Sequence, residues 1–315
     1  MIEFRKVSKR FGQVHALRQV SFTAPDGCVL GLLGVNGAGK STALNLMTGY
    51  YPPTEGEILI DGMDIQAKPR ACKRRIGYLP EQPPLYDELT VREYLRFVSE
   101  LREVSARDLR RHVENVADLC GLKPVIDRRL GKLSKGYRQR AGIAQALCGD
   151  PPTLILDEPT VGLDPRQIVG IRDLIGELGK SHTIVFSTHL LHEVQQLCSR
   201  AIILHEGHIV WDGSLRDSES EAPMILHAVI QAADHGIVQA FYELECVLRV
   251  QTMPSADETL TECVLTCSRS TEERPQAQVF RLLAERNAPI ISLTEEADSL
   301  ETIFLRVTTG KEAEQ

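Results

Sequence analysis

The sequence predicts an α/β core with an inserted helical lobe, followed by a small α+β domain. Three observations predict it. Apolar runs of strand length alternate with helical patterns through residues 1–215. A glycine-rich turn, Gly34-Val-Asn-Gly-Ala-Gly39-Lys40-Ser41, joins one such run to a helical stretch. Beyond residue 215 strands and helices follow one another in a different order.

Met1-Ile-Glu-Phe-Arg-Lys begins with strand-like alternation and holds no apolar signal core. Cys28-Val-Leu-Gly-Leu-Leu reads as a buried strand running into the glycine turn, and residues 42–48 as the helix after it, stopped at Gly49. Glu57-Ile-Leu-Ile-Asp-Gly is a strand entering a turn. Thr90-Val-Arg-Glu93 forms a capping box, with Leu89 and Tyr94 placed as a hydrophobic staple. It opens a helix on which Val91, Tyr94, Leu95, Val98 and Leu101 share a face. A second helix is expected over 106–120, ending at Gly121. These helices interrupt the strand pattern, so residues 86–150 read as the inserted lobe. Strands resume at Thr153-Leu-Ile-Leu-Asp, Thr183-Ile-Val-Phe-Ser and Ala201-Ile-Ile-Leu, and Gly207 and Asp212-Gly213 mark a closing hairpin. Residues 214–222 are polar and acidic and read as a linker. Strands at 224–230, 245–252, 260–267 and 289–294, with helices at 232–241 and 275–286, give the order βαββαβ. That is the order of a ferredoxin-like sandwich, assigned to residues 216–315. A final amphipathic helix is expected over 299–308.

The 315 residues are 43% apolar and 25% charged, a balance that supports packed cores and excludes a wholly disordered chain. The net charge of −7 is unevenly spread: 28 basic and 25 acidic residues precede Arg216, and 8 basic and 18 acidic residues follow from it. No domain-wide basic field marks a nucleic-acid binder, so no nucleic-acid partner is expected. The acidic end is ill suited to anionic lipid or DNA. No run approaches the roughly 20 apolar residues needed to span a bilayer. The eight cysteines form no CxxC pair and no metal-binding spacing; most fall within apolar patterns and read as small buried residues of a reducing compartment.

The glycine turn matches the P-loop pattern G-x-x-x-x-G-K-[ST] in its required context, after a strand and before a helix. Its glycines let backbone N–H groups turn toward a polyphosphate, and the helix N-terminus faces the same anion. Gly34, Asn36, Gly37, Ala38, Gly39, Lys40, Ser41 and Thr42 are therefore the candidate nucleotide-binding residues. Lys40 is expected to reach the β- and γ-phosphates, and Ser41 to hold Mg²⁺. Asp157 ends an apolar strand, where a carboxylate orders the Mg²⁺ shell. Strand alternation sends the next residue, Glu158, to a different face, where it can polarise an attacking water.

Three further pieces narrow the choice. Leu133-Ser-Lys-Gly-Tyr-Arg-Gln-Arg opens a helix shortly before Asp157, Gln82 follows the strand-like Ile76-Gly-Tyr-Leu, and His189 ends the strand at 183–188. With these in order, residues 2–213 resemble the ATP-binding cassette (ABC) ATPases. The resemblance implies an ABC nucleotide-binding domain over 1–215, built on a P-loop NTPase core and using ATP and Mg²⁺. It implies that Phe11 stacks on adenine and that Gln82 senses Mg²⁺ and the attacking water. Leu133, Ser134, Lys135, Gly136 and Tyr137 correspond to the signature that reaches the γ-phosphate held by a second ATPase subunit. Gly162, Leu163 and Asp164 correspond to the D-loop at the seam between the two. Glu158 is the implied general base, and His189 the switch histidine at the γ-phosphate.

The sequence departs from the family pattern at the signature, usually Leu-Ser-Gly-Gly-Gln. Lys135 adds a positive charge near a polyphosphate, and Tyr137 replaces a glutamine that would reach the sugar. This form, with Glu158-Pro-Thr-Val-Gly-Leu-Asp-Pro and the end segment at 299–308, resembles the ATPases of ABC-2-type exporters, nearest the gliding-motility-associated branch. The implied partners are an integral-membrane ABC-2-type permease, docking at residues 83–89, and a second ATPase subunit, most simply a second copy. The implied location is the cytoplasmic face of the membrane. Two alternatives stay open at this point: an importer ATPase with a regulatory C-terminal domain, and an ABC ATPase outside transport.

Overall fold

The computed structural model describes residues 1–215, 224–231, 236–253, 259–268, 273–296 and 304. By internal contacts the chain divides into two compact units, Met1–Leu215 and Arg216–Gln315.

The first unit begins with a long antiparallel hairpin, β1 (Ile2–Phe11) and β2 (Val14–Ala24). The buried run β3 (Val29–Leu33) follows, then α1 (Lys40–Met47), β4 (Glu55–Ile60), the short β5 (Met63–Asp64), α2 (Pro69–Arg74) and β6 (Ile76–Leu79). The turn from β4 to β5 is Asp61-Gly62, both at positive φ, the conformation that an Asp-Gly pair adopts in a two-residue hairpin. The helical lobe comprises α3 (Val91–Leu101), α4 (Leu109–Leu119) and α5 (Lys135–Leu147). The core then resumes with β7 (Thr153–Asp157), α6 (Pro165–Leu178), β8 (Thr183–Thr188), α7 (Leu191–Leu197), β9 (Arg200–His205) and β10 (His208–Ser214).

Two sheets result. One is antiparallel, in the order β2-β1-β4-β5. The other runs β10-β9-β3-β8-β7-β6 and is parallel except for its β9–β10 edge pair. Its inner strands β3, β7 and β8 are buried along almost their whole length, which is why they read as continuous apolar runs rather than alternating ones. A core of Ile2, Phe4, Val7, Leu30, Leu32, Leu44 and Met47, among others, joins the antiparallel sheet to α1 and the parallel sheet. Phe4 and Phe22 stack within it at 4.6 Å.

The lobe starts as its sequence dictates. Thr90 accepts the Glu93 N–H through its hydroxyl, and the Glu93 carboxylate accepts the Thr90 N–H at 2.8 Å. The buried face of α3 departs from its apolar spacing toward the helix end: Val91, Tyr94, Leu95 and Ser99 are buried, Val98 is half-buried, and Leu101 is exposed. The helix ends there at Arg102, and Glu103 takes a positive φ that turns the chain toward α4. Gly121, also at positive φ, stops α4 as expected. Of the two predicted hairpin signals, Glu206-Gly207 makes the β9–β10 turn, while Asp212-Gly213 lies inside β10. Asp212 is held there by a paired contact with Arg200 on the neighbouring strand, which explains an acid within a strand.

The second unit contains β11 (Met224–Ile230), α8 (Gly236–Phe241), β12 (Val247–Met253), β13 (Thr261–Cys267), α9 (Pro275–Glu285) and β14 (Ile290–Glu296). All its pairings are antiparallel, in the order β12-β13-β11-β14. Alternate residues Leu226, Ala228 and Ile230 pack with Ile237, Phe241, Val279 and Leu283 of the two helices. The expected linker beyond residue 215 and the helix over 299–308, Phe304 excepted, lie outside the described residues. All eight cysteines are buried free thiols.

Removing the Thr90 hydroxyl leaves a first-turn N–H without its acceptor. Thr90→Ala is expected to destabilise the chain by about 1 kcal/mol. A urea-unfolding midpoint equal to that of the natural sequence would show that the box contributes nothing.

Candidate functional site

The site lies where three adjacent parallel strands end. In the order β3-β8-β7, Leu33 pairs with Thr188 and Ser187 with Asp157, so the glycine turn, His189 and Glu158 emerge side by side. Carboxyl ends of parallel strands are where open α/β sheets bind ligands.

The glycine turn connects β3 to α1. Gly39 is at φ 109°, and a Cβ there would lie 2.6 Å from the Ala16 carbonyl oxygen. At Gly34 a Cβ would lie 2.6 Å from the Leu204 carbonyl oxygen. Both positions therefore require glycine. The first turn of α1 carries no acidic residue and no capping side chain, so its N–H groups and positive dipole end remain available to an anion. The turn is braced from β9–β10, where the Gly207 N–H donates to the Ala38 carbonyl at 3.1 Å and the Arg18 N–H donates to the Gly207 carbonyl at 2.9 Å.

Lys40 is buried. Its ammonium donates to the Gly34 carbonyl at 2.8 Å and lies 3.5 Å from Glu158 Oε1. Ser41 Oγ is 3.4 Å from Asp157 Oδ1. Asp157 also accepts the Ser187 hydroxyl at 2.6 Å, and that hydroxyl in turn accepts the Glu158 N–H at 2.9 Å. Burial pushes the Asp157 carboxyl above the usual carboxylate range, against the downward pull of the Ser187 and Ser41 hydroxyls. Glu158 has φ 46°, a left-handed conformation that costs a non-glycine residue about 1–2 kcal/mol. Strand alternation predicts different faces for Asp157 and Glu158. The positive φ overrides it, and both carboxylates reach the glycine turn. His189 Nδ1 lies 2.8 Å from Glu158 Oε2.

These groups border a cavity of roughly 520 Å³ lined by Asn36, Gly37, Gly39, Lys40, Ser41, Thr42, Glu158 and His189, with Val14, His15, Arg18, Glu81 and Glu206 around them. The cavity thus combines an unneutralised helix N-terminus, a buried ammonium, two carboxylates and an imidazole. Such a set can hold a polyphosphate and orient a water against it.

The remaining predicted residues lie around this centre. Gln82 is exposed and does not line the cavity; the neighbouring Glu81 does. Phe11 is 42% exposed and pairs with Val14 of the cavity wall across the β1–β2 turn. Its ring meets Tyr51 edge-on at 5.3 Å, and the Lys9 ammonium stands 5.0 Å from its centroid. Ser134 is the exposed N-cap of α5, accepting the Tyr137 N–H. Asp164 caps α6 in the same way, through the Gln167 N–H at 2.9 Å. The segments 133–137 and 162–164 touch. A Cβ on Gly136 would meet Gln167 at 2.7 Å, and one on Gly162 would meet the Lys135 ammonium at 2.1 Å. Sequence reasoning missed Ser187 as a bridge between the two carboxylates, and missed His15, Arg18, Glu81 and Glu206 in the wall. Motif spacing does not reveal the first, because strand register creates it.

Fold and site together define an ATP-binding P-loop ATPase domain. The family model for the ABC transporter matches residues 17–161. The ABC transporter ATP-binding protein NatA of Bacillus subtilis (strain 168) is 38% identical over 221 residues, 68% of this chain and 90% of that protein. The Nod factor export ATP-binding protein I of Rhizobium sp. (strain N33) is 33% identical over 328 residues, 100% of this chain and 98% of that protein. Among solved structures, a dimeric ATP-binding cassette in a post-hydrolysis state, bound to ADP and Pi, superposes with a TM-score of 0.63 at 27% identity, covering 69% of this chain and 99% of that one. The chain belongs to the ABC transporter ATP-binding protein family and is an ATPase subunit of a transporter. Subunits of this family dimerise and work with membrane permeases. No helix among the described residues is long and apolar enough to cross a membrane.

A carboxyl held above its ordinary range destabilises the fold at neutral pH. The folded state then binds more protons than the unfolded state, so stability falls as pH rises through the carboxylate range. In the nucleotide-free protein, Asp157→Asn is expected to raise the melting temperature at pH 7. The gain should shrink as pH drops below that range. A melting temperature lowered at pH 7 would refute this account of Asp157.

Proposed function

We propose that this chain energises an ABC-2-type exporter from the cytoplasmic face of the membrane. ATP clasps two copies together, and hydrolysis releases them. The observation that carries this reading is the pairing of a complete glycine-turn cradle, open to one side, with an exposed Ser134 at the N-terminus of α5. The cradle supplies charge from one side only. An exposed helix N-terminus carrying a serine is the complement that a second copy can offer. The exporter assignment is supported by the full-length likeness to an ATP-binding protein named for Nod factor export, which includes the C-terminal unit.

In this reading Gly34, Asn36, Gly37, Ala38, Gly39 and Thr42 present the backbone that binds the phosphates, and Phe11 receives the adenine. Lys40 leaves its internal carbonyl partners to meet the β- and γ-phosphates. Ser41 and Asp157, joined by Gln82 if its loop turns inward, would hold Mg²⁺, which when bound would neutralise charge developing on the phosphates. Their hard oxygen donors fit that ion, and a site with so few protein ligands suits a cation that keeps waters and phosphates in its shell. Glu158 takes the proton of the attacking water, and His189, held against it, positions the γ-phosphate end of the site. Leu133, Ser134, Lys135, Gly136 and Tyr137 contact the nucleotide of the partner copy, across a seam that includes Gly162, Leu163 and Asp164. Residues 83–89 dock the permease. The C-terminal unit, read as a ferredoxin-like accessory domain, serves regulation or dimer stability.

Glu158→Gln keeps the shape of the site but removes the base. Turnover is expected to fall by about 10²–10⁴-fold, with ATP binding retained and ATP-bound dimers accumulating on size exclusion. Wild-type turnover in that variant would rule Glu158 out as the base. Lys40→Ala is expected to weaken ATP binding by about tenfold or more, measured by nucleotide titration, since it removes a buried charge-assisted contact to phosphate. Unchanged affinity would rule out its phosphate role.

A further inference from the structure

Glu193 lies in the first turn of α7, four residues after His189 and outside the motifs described above. It is 0% exposed. One carboxylate oxygen, Oε2, accepts the Thr188 hydroxyl at 2.7 Å, and the other, Oε1, is buried with no hydrogen-bond partner among the described residues. Thr188, the last residue of β8, is also 0% exposed, and its oxygen accepts the Leu190 N–H at 3.0 Å. The Glu193 N–H in turn donates to the Leu190 carbonyl at 3.1 Å.

A helix gains from an acid in its first turn when that acid stands at the surface, where no desolvation is involved. Full burial with one oxygen unsatisfied is the costly way to obtain the same gain, so helix capping does not account for the arrangement. The contacts show what it does instead. A threonine hydroxyl has one proton and rotates freely unless an acceptor fixes it. Glu193 fixes that proton, which aims the lone pairs of Thr188 at the Leu190 N–H. The Leu190 N–H belongs to the peptide that follows His189, and the residue before His189 is held in the β8 ladder opposite Leu33. The backbone is thereby pinned on both sides of the histidine whose ring meets Glu158.

We propose that Glu193, acting through Thr188, is a positioning residue that holds His189 against Glu158 in the ATPase cycle. The inference rests on the role given to His189 above. It assigns Glu193 to turnover rather than to nucleotide affinity, because neither residue of the clamp lines the cavity.

The test is steady-state ATPase activity of the full chain for Glu193→Ala, Thr188→Val, His189→Ala and the double variant Glu193→Ala/His189→Ala, each checked for a native melting transition. Glu193→Ala and Thr188→Val are expected to lower kcat by about tenfold or more while moving the KM for ATP less than about twofold. Glu193→Gln and Thr188→Ser keep the acceptor and the hydroxyl, and should stay within about threefold of wild type. In the His189→Ala background the Glu193 substitution should add nothing further, a coupling that a purely structural contribution would not produce. If Glu193→Ala does not fold, Thr188→Val and Thr188→Ser carry the comparison. Wild-type kcat in folded Glu193→Ala or Thr188→Val, with His189→Ala impaired, would overturn the clamp alone. Equal losses with and without His189 would also overturn it. Wild-type kcat in His189→Ala would instead overturn the reading of the histidine, and the clamp with it.

Discussion

Charge taken out of water at the strand ends is the constraint around which this molecule is built. Lys40, Asp157 and Glu158 are all buried within a few ångströms of one another, and each is satisfied by a different device. Lys40 borrows a backbone carbonyl and a carboxylate, Asp157 takes two hydroxyls, and Glu158 shares an ammonium and an imidazole. Ser187 makes this possible, since its single hydroxyl donates to one acid and accepts from the backbone of the next. The parallel sheet supplies the required register, and the large apolar core on its flank keeps the register fixed. A buried cluster of this kind contributes little net stability of its own. What it does supply is an array of charges and dipoles set in place at the cavity wall before any ligand is bound.

The helical lobe is tied to that centre by close packing of α5 on β6, where Gly142 leaves room for Leu79, and by a set of polar contacts. Arg140 of α5 donates to the Cys120 carbonyl at the end of α4 and to the Gly170 carbonyl on α6, both at 3.0 Å. Gly136 packs on Gln167, and Lys135 lies over Gly162. Ser134 and the segment at 162–164 therefore share one surface. The departure of Lys135 from the usual glycine finds a structural place here: its long side chain lies against the backbone of Gly162, a position that only a glycine leaves open.

Much of this was legible in the residues because local chemistry determines it. The glycine turn, the capping box at Thr90 and the apolar strands before Asp157 and His189 each specify their own conformation with few alternatives. The readings that failed depended on what lies across space. Leu101 fits the apolar spacing of α3 but falls on its last turn, where the chain leaves the lobe surface. Asp212-Gly213 has the composition of a turn, yet Arg200 on the adjacent strand keeps it extended. Alternation along β7 assigned Asp157 and Glu158 to different faces, and a single left-handed residue brought both to the same cradle. Ser187 and Glu193 carry no motif, because their roles arise from neighbouring strands and from burial.

The β9–β10 turn has one more consequence. It hydrogen-bonds the phosphate loop through Gly207, while Leu204 packs so closely on Gly34 that no side chain fits between them. These contacts hold the cradle in place without help from a ligand. Little ordering entropy is then lost when a ligand enters it, so most of the free energy of capture remains available for drawing two bodies together.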